Sequence, residues 1–252
     1  MAIGGGAIGK PGTKVETLAL DLEIIQLSGR KRPKLLFIPT ASSDANWYCK
    51  AIQKHFGDIL KCKVEILYLI NNQHSKKEIE KKILKSDIIY VGGGNTLKML
   101  TIWRKLGVDS IIFKAYENDI VLSGLSAGAI CWFRYGDSDS RRFKNPDANL
   151  IKIRGLNIIN ALCCPHYNTE GRKEHVKIIM KKTAGVAIGL DNCSAIECVD
   201  NKYRIIVSRG SANAFKLFWL DGKYHEEVIK KTETFLPLDT LLVKKVGLVS
   251  YL

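Results

Sequence analysis

A chain of 252 residues that is 46% apolar can bury a substantial core, as one large domain or two small ones. No apolar run reaches the roughly 18 residues that cross a membrane, and residues 1–9 have neither a basic start nor a long apolar centre, which excludes a membrane span and a secretory signal. The formal charge of +14, from 39 Lys plus Arg against 25 Asp plus Glu, is carried mostly by dispersed lysines without a nucleic-acid motif, so it reads as a solvated surface able to attract acidic molecules, with no nucleic-acid partner.

The first apolar signal, Ala2-Ile3, precedes Gly4-Gly5-Gly6, so either the first strand is very short or the natural chain begins upstream. Residues 34–39 form an apolar strand ending in a Pro-Thr-Ala-Ser-Ser loop, and residues 45–56 have helical spacing behind Asp44 as N-cap. A strand over 63–69 follows, then a helix opening at Ser75, where Ser75 and Glu78 fit a capping box. Residues 87–91 are a strand running into Gly92-Gly93-Gly94-Asn95-Thr96, and residues 97–106 and 108–116 are helical. The apolar residues 120–122 lead into Gly124-Leu125-Ser126-Ala127-Gly128, and a helical pattern follows. Residues 136–146 are polar and loop-like. A short strand over 162–164 leads into Pro165-His166-Tyr167, and residues 174–182 are helical. Strands dominate from there on, over 186–188, 195–199, 203–207 and 214–220, with Asp221-Gly222 a hairpin turn.

Strand and helix alternate about every 15 residues, which predicts βαβ units. The fold class is α/β: a mostly parallel central sheet with helices on both faces, and extra antiparallel strands toward the C-terminus. With no repeats, low-complexity stretches or linker, residues 1–252 read as a single domain. The seven cysteines are odd in number and form no Cys-x-x-Cys pair. They read as buried free thiols in a reducing, cytoplasmic compartment, with no metal and no cofactor.

Gly-x-Ser-x-Gly between a strand and a helix is the layout of a nucleophile elbow, which holds Ser126 on a strained tip. A serine hydroxyl needs a base. Of five histidines, His55 and His175 fall in helical patterns, and His74 and His225 among polar residues. His166 follows an apolar strand and a proline, at the strand end where α/β sheets build their sites. Acyl transfer also needs N–H donors facing the developing charge. The Ala127 amide is one, and the Gly93-Gly94 run after another strand offers a second; Asn95, which closes that run, is a candidate substrate contact. A glycine-rich turn also suits a phosphate, but neither nucleotide-binding glycine pattern is present around Gly92–Asn95. For the acid that orients the histidine, Asp137 and Asp139 in the loop after the elbow helix compete with Asp191 at a later strand end.

Together, Val91-Gly-Gly-Gly-Asn-Thr96, Gly124-Leu-Ser-Ala-Gly-Ala129, Pro165-His166-Tyr167 with Gly171-Arg172, and Gly189-Leu190-Asp191 resemble the dipeptidase E and cyanophycinase family of serine peptidases. The motifs match in order and approximate spacing and cover most of residues 34–220. The resemblance implies a three-layer, flavodoxin-like sandwich similar to class I glutamine amidotransferases, whose elbow carries cysteine where this chain has Ser126. It implies Ser126 as nucleophile, His166 as base, and Gly93, Gly94 and Ala127 as oxyanion hole. It further implies hydrolysis of small peptides next to aspartyl residues, in the manner of a dipeptidase-like exopeptidase, with a second copy of the chain a candidate partner. Some relatives carry Glu where this chain has Asn192, so the acid stays open between Asp139 and Asp191, with the loop that holds the dipeptidase E aspartate favouring Asp139. Arg172 is a candidate for bidentate binding of a substrate carboxylate. Two other functions compete: an α/β-hydrolase esterase, whose histidine normally comes late in the chain, as His225 does, and a non-catalytic binder of an acidic ligand.

Overall fold

The computed structural model describes residues 1–9, 12–71 and 73–245. The chain opens with β1 (Ala2–Ile3), α1 (Leu18–Leu27), β2 (Lys34–Ile38), α2 (Asn46–Ile52), β3 (Lys63–Ile66), α3 (Lys76–Leu84) and β4 (Ile88–Val91). It continues through α4 (Thr96–Leu106), α5 (Val108–Glu117), β5 (Val121–Leu125), α6 (Ala127–Ile130), β6 (Phe133–Ser138), β7 (Ile151–Arg154) and β8 (Ile159–Pro165). After α7 (Arg172–Lys181) come β9 (Ala187–Leu190), β10 (Ser194–Val199), β11 (Lys202–Val207), β12 (Ala214–Leu220), β13 (Lys223–Val228), β14 (Leu236–Pro237) and α8 (Leu238–Leu242).

Eight strands form one sheet in the order β14-β11-β10-β1-β5-β4-β2-β3. The half from β1 to β3 is parallel, and β10, β11 and β14 are added antiparallel. The parallel half explains the sequence pattern: β4, Ile-Ile-Tyr-Val, is buried at every position, as a strand covered on both faces must be. A second sheet runs β13-β12-β9-β8-β6-β7, parallel among β6, β8 and β9 and antiparallel at its flanks. One continuous set of buried side chains joins the two, from Val91, Trp103 and Ala127 to Cys163 and Ile188. Among the described residues no helix is long and apolar enough to cross a membrane. The cysteines are free thiols, six of them buried.

The α/β class and the antiparallel C-terminal strands stand, but the strands after Ser126 do not all extend one central sheet. The segment 136–146 is not loop throughout: it opens in a strand and then makes a 3-10 turn, Ser140–Phe143. Gly136, Asp137 and Ser138 belong to β6, and Asp137 and Ser138 are buried polar residues, so hydrophobicity does not announce the strand. Helix α1 carries no clear sequence signal either, and it buries a carboxylate, Asp21, beside Leu20 and Ile24. The helix expected over 45–56 is α2, which continues as a π-helical stretch, Gln53–Ile59. Asp44 does not cap it. Its carboxylate accepts the amides of Leu69 and Ile70 instead, both at 2.8 Å. The capping box at Ser75 and Glu78 forms as expected, and Asp221-Gly222 joins β12 to β13 with both residues at positive φ.

Candidate active site

Strand β5 ends at Leu125 and α6 begins at Ala127, leaving Ser126 alone in the turn at φ 56° and ψ −106°. A non-glycine residue held there costs about 1–3 kcal/mol, which the surrounding structure must offset. The restraints are visible. The Ser126 amide donates to the Ile3 carbonyl at 3.0 Å, and its own carbonyl accepts the amides of Ala129 and Ile130, each at 2.9 Å. The two glycines of the motif serve close approach: a Cβ on Gly128 would lie 2.1 Å from the Val91 carbonyl, and one on Gly124 would lie 2.4 Å from the Gly128 carbonyl. Any side chain there would push α6 off the ends of β4 and β5.

His166 arrives from the other sheet, just past the end of β8, and also has positive φ, 53°. Its Nε2 lies 2.8 Å from Ser126 Oγ, and its Nδ1 lies 2.6 Å from Asn192 Oδ1. An amide oxygen only accepts, so the ring proton sits on Nδ1 and the Nε2 lone pair accepts the serine hydroxyl. That is the tautomer a general base needs. Asn192 is itself held by its amide, which donates to Asn168 Oδ1 at 3.0 Å. Burial pushes the His166 pKa below its ordinary value, partly offset by the bond to Asn192; Arg172 nearby lowers it further and Asp139 works the other way.

None of the three acids proposed from sequence is the hydrogen-bond partner of His166. Asp139 accepts from the Arg172 guanidinium at 3.2 Å, and Asp191 accepts the Asn213 amide at 2.9 Å. The reason at Asp191 is the turn that follows β9, closed by the Ser194 amide donating to the Asp191 carbonyl at 3.2 Å, with Cys193 at φ 66°. In that turn the Asp191 carboxylate faces the start of β12 and the Asn192 side chain faces the imidazole. Asp137 lies fully buried beneath, with its carboxylate 2.8 Å from His175 Nδ1. Arg172 is buried as well. It donates to the Asp137 carbonyl at 3.1 Å and to Asp139, and it stands 3.7 Å from the Asp137 carboxylate. Its guanidinium is engaged by the protein rather than presented to a ligand.

The glycine turn is braced in the same way. Asn95 Oδ1 accepts the Lys98 amide at 2.9 Å, capping α4, and its Nδ2 donates to the Ser140 carbonyl at 3.0 Å. Asn95 thereby ties this turn to the 138–143 loop. The Gly93 amide donates to the Tyr48 hydroxyl at 3.3 Å, a long bond, and Gly93 packs directly against Leu125 and Ser126. Gly94, at φ 137°, lies against the Ala41 carbonyl. His225 is on β13, stacked on Phe218 at 4.9 Å, and pairs with nothing at Ser126. Cys131 is buried and donates to the Gly128 carbonyl. Sequence reasoning missed Asn192, Tyr48 and a buried pair, His55 and Asp21, 2.8 Å apart; only the Glu-to-Asn departure at 192 hinted at the first.

A serine in a strained turn with its hydroxyl on a histidine nitrogen, at the strand ends of an α/β fold, is an arrangement that serine hydrolases use. Residues 1–206 match the model of peptidase family S51, and the chain belongs to that family, a family of serine-type peptidases related to dipeptidase E. It is 31% identical over 229 residues to the uncharacterised peptidase YgaJ of Bacillus subtilis, covering 90% of this chain and 94% of that one. It is 32% identical over 157 residues to the uncharacterised peptidase Lmo0363 of Listeria monocytogenes, covering 59% and 73%. Among solved structures, a peptidase from an acI-B1 actinobacterium superposes with a TM-score of 0.71 at 18% identity, covering 93% of this chain and 94% of that one, which bears on the fold. A Listeria monocytogenes protein described as a candidate peptidase E gives 0.59 at 25% identity, covering 76% and 93%.

Proposed function

We propose that this serine peptidase works through Ser126, His166 and Asn192, with a neutral amide where such sites commonly hold a carboxylate, and that it removes residues from small aspartyl peptides as an exopeptidase. The observation that carries the mechanism is the pair of bonds on His166, 2.8 Å to Ser126 Oγ and 2.6 Å to Asn192 Oδ1. Ser126 Oγ attacks the scissile carbonyl while His166 Nε2 takes its proton. The same nitrogen returns the proton to the leaving amine, and water then hydrolyses the acyl-enzyme by the reverse use of the base. The oxyanion is received by the Ala127 amide together with the Gly93-Gly94 turn. The long Gly93 bond to neutral Tyr48 yields to an anionic acceptor, because charge-assisted bonds are roughly twice as strong.

The aspartyl preference is supported by family membership rather than by Arg172, whose guanidinium already serves Asp137 and Asp139. On the rim of the glycine turn lies an exposed cation, Lys98, whose ammonium donates to Ser43 Oγ at 2.8 Å. It is the receptor we assign to a substrate carboxylate. A small fluorophosphonate probe tests the mechanism: labelling is expected on Ser126 and is expected to vanish in Ser126→Ala. Labelling elsewhere, or none in the wild type, contradicts it. Dipeptides with amino-terminal Asp or Asn, compared in wild type and Lys98→Ala, test the specificity. Equal cleavage of both by the wild type removes the aspartyl reading and leaves the peptidase.

A further inference from the structure

The run Gly4-Gly5-Gly6 stands out in the sequence yet has no part in the chemistry above. In the structure it leaves β1 between β10 and β5, at the point where the two sheets bring their functional residues together. Three consecutive carbonyls of this segment do three different things. Ile3 accepts the amide of Ser126 at 3.0 Å, Gly4 accepts the amide of His166 at 3.2 Å, and Gly5 accepts the amide of Cys193, the neighbour of Asn192, at 2.8 Å. The Gly4 amide in turn donates to the Ser194 carbonyl at 2.9 Å.

We infer that Ile3-Gly4-Gly5 is the positioning element of the catalytic site, holding nucleophile, base and the partner of the base in register from one backbone. The inference rests on the Ser126–His166–Asn192 reading. Ser126 hangs from the eight-stranded sheet, and His166 and the residue before Asn192 follow the paired strands β8 and β9 of the six-stranded one, so no strand pairing fixes the distance from Ser126 to the other two. A shared backbone segment does, since each backbone bond restrains one of them against the same rigid peptide units. Gly5 adds a second requirement. A Cβ there would lie 2.0 Å from Asn192 Oδ1, 2.4 Å from His166 Nδ1 and 2.5 Å from His166 Cε1. A side chain at position 5 would occupy the space in which the imidazole and the amide meet.

The clash falls on the far ends of two rotatable side chains, so Gly5→Ala is expected to fold and to displace them. Misplacing a reacting group by about 1 Å costs on the order of 100-fold in rate. Gly5→Ala is therefore expected to lose about 100-fold in kcat with KM little changed, and to lose the acid-limb pH profile of His166. Gly9→Ala is the control. Gly9 has φ 84° and its Cβ would meet only Val15, at 3.3 Å, so this variant strains the same N-terminal region without touching the site. It is expected to melt earlier but keep kcat. Hydrogen exchange on the wild type gives a reading that needs no variant: the amides of Ser126, His166 and Cys193 are expected to be protected together. Wild-type kcat and pH profile in Gly5→Ala, or exchange of the His166 and Cys193 amides at the rate of exposed loops, overturns the inference. A wild type that neither labels nor cleaves would sink the peptidase mechanism instead, and the exchange experiment would still judge the clamp.

Discussion

Ser126 and His166, the nucleophile and base we propose, are held by opposite strategies. Ser126 sits in a turn whose geometry is written within five residues, because Gly124 and Gly128 permit a packing against β4 that no side chain allows. His166 and Asn192 stand 26 residues apart on loops that leave the paired strands β8 and β9, and β1, the Asn168 side chain and the start of β12 complete their arrangement. A local device tolerates change elsewhere in the molecule. A device assembled from distant segments is tunable but fragile.

The comparison breaks most severely if the base proves dispensable. His166→Ala is expected to lose at least about 10⁴-fold in kcat, close to Ser126→Ala, because members of such a unit fail together. Survival of activity in His166→Ala with loss in His225→Ala would instead favour the esterase arrangement. Next in size is a stability effect. Arg172→Met leaves Asp137 buried without its guanidinium and is expected to lose about 3–5 kcal/mol in denaturant unfolding; a variant as stable as wild type would show that Arg172 is free for substrate after all. Asn192→Ala is expected to cost about 10- to 100-fold in kcat, since the imidazole loses the acceptor that fixes its tautomer. Asp139→Ala sharpens the assignment from the other side. Its carboxylate is partly exposed and bonded to Arg172, so less than about a tenfold loss is expected. A loss as deep as that of His166→Ala would return Asp139 to the catalytic unit.

The two strategies also explain what the sequence made legible. The elbow, the capping box at Ser75 and the Asp221-Gly222 hairpin are short-range patterns with short-range causes, and each appears where its residues predict it. His166 was readable because a strand end followed by proline is equally local. The partner of the base was not. Asp139 and Asp191 are the right residue type near the right place, and only the direction each side chain takes, toward Arg172 and toward Asn213, turns them away from the His166 ring. That direction depends on α7 and β12, which lie far along the chain. Asn95, which closes the glycine run, and Arg172, whose guanidinium suits a carboxylate, read from the sequence as substrate contacts. Their donors are instead satisfied by Ser140, Asp137 and Asp139, partners that sit on β6 or the loop after it, the first part of which reads as loop because its buried residues are polar.

The central claim is that a neutral amide orients the base, and the pH dependence of Ser126 labelling tests it most directly. Reaction requires the neutral imidazole, so the rate falls as pH drops through the His166 pKa. Burial lowers that pKa, and Asn192 supplies no negative charge to restore it. The account predicts a wild-type midpoint below the unperturbed value of roughly 6.5. In Asn192→Asp, a carboxylate against Nδ1 favours the imidazolium, and the midpoint is expected to rise by about one unit or more. A wild-type midpoint above that unperturbed value, unmoved by Asn192→Asp, would mean that a carboxylate from elsewhere already sits on His166, and would contradict the account.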